Sequence, residues 1–328
     1  MKKIFPNKLK SGDVIRVIAP ARSLSIISDE SRNIAKSNFD KLGLKLTFGK
    51  HVEESDEFIS SSIESRVEDL HNAFSDKEVK AILTVIGGFN SNQLLKYIDW
   101  ELIKSNPKIL CGYSDITALN NSILKKTGLV TYYGPHYSTL GQKLYLDYTL
   151  NYFKLCLMES HVIDVKPSSK WTDDAWYIDQ KNRHQIENNG FIPINSGKAE
   201  GSIVGGNLCT FNLLQGTEYM PSLENSVLFI EDDYESDAAT FDRDLQSLIH
   251  LQDFKGVKGI VIGRFQKESK ISVELLNKII KTKKELAHIP VVAGVDFGHT
   301  EPKITFPIGG SAKISVMPDT TNIEITKH

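Results

Sequence analysis

Residues 14–134 alternate between short apolar runs and helical spacings, and nothing else in the chain restricts its fold so tightly. "VIRVIAP" (14–20) is a β-rich run that ends in a loop of proline and small residues. "SIESRVEDLHNAF" (62–74) follows, with Ile63, Val67, Leu70 and Phe74 on one helical face. "VKAILTVIGG" (79–88) is a second β-rich run closed by two glycines, and helix is expected from Ser91 to Tyr97. Ile109, Leu110 and Cys111 form a third run that stops at Gly112. Ile116, Leu119, Ile123 and Leu124 then begin a helical pattern at once, leaving Ser114 at a tight strand-to-helix turn. "LVTYYG" (129–134) is the next strand. Alternation of this kind predicts an α/β domain built on a doubly wound parallel sheet. Such sheets hold ligands at the carboxyl ends of their strands, where Gly87-Gly88 and Ser114 fall.

The alternation breaks at residues 160–198, which are polar and poorly periodic and read as a linker or a long functional loop. A second domain is expected from near Lys198, with strands at 201–206, 227–230, 259–263 and 290–295. Helices are expected over 207–215, 239–251 and 271–286, and short β-like pieces follow His299. The expected organisation is therefore 1–160, a 161–198 linker or substrate loop, and 199–328. There are no internal repeats.

A length of 328 residues suffices for two cores. The net charge of −2 gives no reason to expect nucleic acid or an anionic membrane as a partner. No apolar run approaches the roughly 20 residues of a membrane span, and the lysine-bearing N-terminus has no apolar core of a signal peptide. Cys111, Cys156 and Cys209 are odd in number, far apart and in apolar settings, which predicts a reduced cytoplasmic protein with buried thiols. No metal or cofactor motif is present: H-E-x-x-H, C-x-x-C, G-x-G-x-x-G and Walker patterns are all missing.

Ser114 has two readings: a helix N-cap, which is common for serine, or a nucleophile exposed by the turn. As a nucleophile it would need a base, an acid to orient that base, and donors for an oxyanion. The amide of Asp115, at the start of the helix, suits the last role, and a second donor can come from the Gly87-Gly88 turn. Among nine histidines, His299 in "VVAGVDFGHTEP" lies in a glycine-bounded loop just past a buried strand, with His136 in "YYGPHYS" as its rival. Glu231 ends the apolar run "SVLFI" and needs a partner if buried; Asp296 is the competing acid.

Six blocks together, "IGGFNSNQLL", "NPKILCGYSDITAL", "GLVTYYGPH", "GSIVGGNLCTFNLLQGTEYMP", "VLFIEDDYES" and "VVAGVDFGHTEPKITFPIGG", resemble the LD-carboxypeptidase family of serine peptidases. The resemblance covers nearly the whole chain and keeps the blocks in order. It implies a Ser114, Glu231, His299 triad and oxyanion donors at the backbone N–H groups of Gly88 and Asp115. It also implies a smaller C-terminal domain with β-barrel character, a site between the domains, and a homodimer. One branch of the family trims D-alanine from murein tetrapeptides. The other, containing the microcin C immunity protein, cleaves a carboxamide bond in aminoacyl-nucleotide antibiotics. "GGFNSNQLL", "NPKILCGYSDITAL" and the insertion "KPSSKWTDDAWY" are closer to the immunity branch, where a tryptophan of the insertion stacks on adenine; Trp171 and Trp176 are the two available. The resemblance thus implies hydrolysis of a small peptide or aminoacyl-nucleotide without a cofactor, and a protein that keeps the fold without turnover, binding a nucleotide or muropeptide, is the reading of another class. Arg22, Lys198 and Arg264 are the basic groups open to a substrate carboxylate.

Overall fold

A computed structural model describes residues 2–328. Five strands, β1 (Val14–Ile18), β2 (Lys45–Phe48), β3 (Val79–Thr84), β4 (Ile109–Cys111) and β5 (Thr131–Tyr133), form a parallel sheet in the order β2-β1-β3-β4-β5. The order reverses between β1 and β3, so the loops after these two strands flank the crevice where doubly wound sheets bind ligands. Helices α1 (Asp29–Lys41) and α2 (Ile63–Ser75) sit on opposite faces. Phe39 of α1 shares a core with Val17 and Leu83, whereas Leu70 and Phe74 of α2 pack with Ile18 and Ile82. The alternation of side chains along each strand sends neighbours to the two cores. Helices α3 (Trp100–Ser105), α4 (Thr117–Thr127) and α5 (Asp147–Met158) complete this half.

The 161–198 segment carries β6 (Ile163–Val165), β7 (Lys170–Trp171), β8 (Ile186–Glu187) and β9 (Ile192–Asn195). Beyond it lie β10 (Gly197–Asn207), α6 (Leu208–Asn212), β11 (Ser226–Glu231), α7 (Ala238–Ile249), β12 (Gly259–Gly263), α8 (Val273–Lys281) and β13 (Val291–Val295). The chain ends with β14 (Phe306–Ile308), β15 (Ser311–Val316) and β16 (Thr321–Lys327). An eight-stranded sheet runs β6-β16-β15-β10-β11-β12-β13-β9, and β7 pairs only with β8. The β-barrel character expected of this half is not found, because the sheet is open and β6 and β9 are its separate edges. Its centre, β10 to β13, is parallel, with α6, α7 and α8 in the crossovers.

β14 leaves the second half and pairs antiparallel with β5, Phe306 opposite Tyr133. The loop between β13 and β14 therefore spans the two sheets. Both cores also run across them: Phe229, Phe297 and Phe306 belong with Val17 and Leu83, and Val204, Leu228 and Phe241 with Ile18 and Ile82. Cys111 and Cys156 are buried as expected, but Cys209, on the outer face of the short α6, is exposed.

Candidate active site

Ser114 is separated from the end of β4 by Gly112 and Tyr113 and opens a single 3-10 turn, Ser114–Ile116, that runs into α4. Its φ is +59°, in the left-handed region. For a residue with a Cβ this costs on the order of 1–3 kcal/mol and persists only where the surroundings hold it. Gly87 allows the turn after β3 to press against it, since a Cβ there would lie 2.9 Å from both Cβ and Oγ of Ser114. The hydroxyl does not cap the helix. It meets Nε2 of His299 at 3.0 Å instead.

His299 comes from the loop that spans the sheets. Its Nδ1 is 2.8 Å from Oε2 of Glu231, the last residue of β11. The preceding Gly298, at φ +99°, permits this approach, because a Cβ would fall 2.4 Å from the same Oε2. Glu231 is fully buried. Burial alone would raise its carboxyl; the charge and hydrogen bond of His299, with bonds from Tyr133 and Asn207, outweigh that and hold it below its ordinary value. Burial likewise works to lower the His299 imidazole, yet Glu231 wins and raises it. A hydroxyl, imidazole and carboxylate linked at these distances form the arrangement in which an imidazole can take a hydroxyl proton while the carboxylate orients it and stabilises its cation.

Tyr133, at the end of β5, was missed in the sequence. Its hydroxyl donates to Oε1 of Glu231 at 2.5 Å and accepts from the Ser114 N–H at 3.2 Å, tying acid to turn. Only its place at a strand end hinted at a role. Among the described residues, neither the Gly88 nor the Asp115 amide donates to a protein acceptor. Gly88 lies with Ser114 along a pocket of about 210 Å³, whose walls also include Arg22, Phe89, His136 and His299.

The rival groups have other partners. Nδ1 of His136 bonds to the Thr84 hydroxyl at 2.7 Å, and burial pushes its pKa well below the ordinary range. The ring of Tyr113 lies against both imidazoles, 4.3 Å from His136 and 5.3 Å from His299 between centroids. Asp296 pairs with Arg264 at 3.2 Å and accepts the Ser168 N–H at 2.7 Å, anchoring the 161–198 segment. Thr172 and Glu301 exchange backbone bonds of 2.8 Å, which stitches that segment to the His299 loop. Neither tryptophan lines the Ser114 pocket. Trp171 is faced by Arg264 and Lys267, at 4.9 and 5.7 Å from its ring centroid. Trp176 is half-buried and packs edge-on against the exposed Tyr177. Lys198 sits far along the second sheet beside Glu200 and Lys313. No cluster of three His, Cys, Asp or Glu suited to a metal ion, and no helix long and apolar enough to cross a membrane, occurs among the described residues.

Comparison with known proteins matches residues 15–134 to the LD-carboxypeptidase N-terminal domain and residues 200–314 to the LD-carboxypeptidase C-terminal domain. The chain belongs to the LD-carboxypeptidase family of serine peptidases. Within that family it is 57% identical to the putative carboxypeptidase YocD of Bacillus subtilis, covering 99% of this chain and 100% of that one. It is 34% identical to the microcin C7 self-immunity protein MccF of Escherichia coli, over 87% of this chain and 85% of that protein. A crystal structure of an MccF-like protein from Bacillus anthracis is 55% identical and superposes with a TM-score of 0.98, covering 99% and 100% of the two chains. MccF in complex with aspartyl sulfamoyl adenosine superposes with a TM-score of 0.89 at 31% identity, over 99% of each chain.

Proposed function

We propose that this LD-carboxypeptidase family member is a serine amidase acting through an acyl-enzyme, and that its substrate is the carboxamide bond of an aminoacyl-nucleotide. The observation that carries the reading is the continuous chain Ser114 Oγ, His299, Glu231 at 3.0 and 2.8 Å. His299 takes the Ser114 proton as Oγ attacks the substrate carbonyl carbon. The N–H groups of Gly88 and Asp115 hold the resulting oxyanion. Collapse breaks the carbon–nitrogen bond, and the proton passes from His299 to the leaving nitrogen. Water, deprotonated by the same imidazole, then attacks the ester and frees the acid and the Ser114 hydroxyl. Trp176 is the better choice for base stacking, since cationic side chains already cover Trp171. The protein works in the cytoplasm as a homodimer.

The likeness to MccF, crystallised with aspartyl sulfamoyl adenosine, supports the nucleotide branch. The likeness to YocD, named as a putative carboxypeptidase, supports the second reading, removal of the terminal D-alanine from murein tetrapeptide. Parallel assays on aspartyl sulfamoyl adenosine and a murein tetrapeptide separate them. Cleavage of the adenylate, with KM raised in Trp176→Ala because base stacking contributes about 1–3 kcal/mol, is the expected result. Release of D-alanine with the adenylate intact selects the carboxypeptidase. A protein whose Ser114 takes up no phosphonate and which turns over neither substrate is a binding protein.

A further inference from the structure

The geometry points to Arg22 as the residue that binds a substrate carboxylate in the Ser114 pocket, an inference that rests on the amidase reading for its meaning but not for its test. Arg22 follows β1 and the Gly87-Gly88 turn follows β3, so the two loops flank the point where the strand order reverses. The Arg22 N–H donates to the Gly87 carbonyl at 3.3 Å, and a Cβ on Gly88 would come within 3.3 Å of Arg22 Cγ. The Arg22 backbone is thus tied to the turn that abuts Ser114, with the start of its side chain against Gly88.

Its charge is uncommitted. Arg16, Arg32 and Arg264 each pair with a carboxylate, whereas Arg22 has no ion pair among the described residues. Its Nε is buried without a hydrogen-bond partner. The guanidinium rests 4.6 Å from the centroid of the Phe89 ring, a contact that does not neutralise its charge. Among the described residues, Arg22 is the only lysine or arginine lining this pocket. Asp233 and Glu235 line it too, making it dipolar, and neither pairs with Arg22. A forked cation in the wall of the pocket that Ser114 lines suits a carboxylate bidentately. The two other basic candidates line other surfaces, and Arg264 is in addition paired with Asp296.

The carboxylate can belong to the acyl part, as in an aspartyl side chain, or to the leaving part, as in a C-terminal residue. Binding to Ser114→Ala tests this without turnover, using aspartyl against asparaginyl sulfamoyl adenosine, and murein tetrapeptide against its C-terminal amide. Adding Arg22→Gln should weaken the carboxylate member of one pair by about 10- to 100-fold, since hydrogen bonds to charged groups contribute about 1.5–3 kcal/mol. The amide member should weaken less than about threefold, and Arg22→Lys should fall between. The pair that responds identifies the source. Equal weakening of both members, no weakening, or no binding of either carboxylate ligand overturns the inference. Failure of the amidase reading is seen separately, as an absence of phosphonate adduct on Ser114 in the parent protein.

Discussion

Glu231 and Asp296 are both fully buried carboxylates at the carboxyl ends of parallel strands in the second sheet. What faces them differs. Asp296 meets the Arg264 guanidinium, together with the Ser168 N–H and the Asn188 amide. Burial pushes its carboxyl up, and Arg264 offsets only part of that. Glu231 meets an imidazole whose other nitrogen reaches a serine hydroxyl. Its carboxyl is held down and the imidazole is raised. A buried carboxylate paired with arginine has nowhere to send a proton and acts as an anchor. The same group paired with histidine can support proton movement beyond the pair.

The largest effect that would break this contrast lies at Ser114. Ser114→Ala should remove turnover by about 10⁶-fold, as loss of a triad nucleophile does elsewhere, while thermal unfolding stays near that of the parent. Activity near the parent level would reduce Ser114 to a strained turn residue. Next, Glu231→Gln should lower kcat by about 10⁴-fold, and Asp296→Asn by less than about tenfold. Asp296→Asn should instead cost stability, about 3 kcal/mol in a denaturant titration, because it leaves a largely buried guanidinium without its partner. A larger kcat loss at Asp296 than at Glu231 would reverse the assignment.

Smaller changes sharpen the comparison. Tyr133→Phe removes a donor to Glu231 and the acceptor of the Ser114 N–H. It should lower kcat about tenfold with KM little changed. The smallest effect is in the pH profile. His299 accepts a proton only when neutral, and its pKa is raised above 6.5. Activity should therefore fall as pH drops through a value above 6.5, in the acid limb of kcat/KM. Removing the Glu231 charge should move the residual limb to lower pH. A limb that stays in place in Glu231→Gln would mean that another group titrates there.

Much of this was legible in local pattern. The runs at 79–84, 109–111, 226–231 and 291–295 are apolar because both faces of a central parallel strand are covered, and they emerge as β3, β4, β11 and β13. Ser114, Glu231 and His299 stand out because each sits where such a run stops. Where residues are only half covered, the pattern fades. β2 alternates lysine and threonine with partly exposed apolar residues, and β6 and β9 are sheet edges in a polar segment, so none of the three reads as a strand from sequence.

By itself, the sequence determined that the first half is a parallel α/β sheet, that a serine stands at a strand-to-helix turn, and which acids and histidines follow buried strands. Those are consequences of contacts between residues near in the chain. Only the tertiary structure decided that the second sheet stays open, that His299 rather than His136 meets Ser114 across 185 residues of chain, and that Glu231 rather than Asp296 stands behind it. It also brought Tyr133 to Glu231 and left Arg22, of three basic candidates, in the pocket that Ser114 lines. The meeting of His299 with Ser114 goes with the crossing of β14 to pair with β5, which brings the His299 loop over the first sheet. That pairing joins segments far apart in sequence, so no local spacing encodes it.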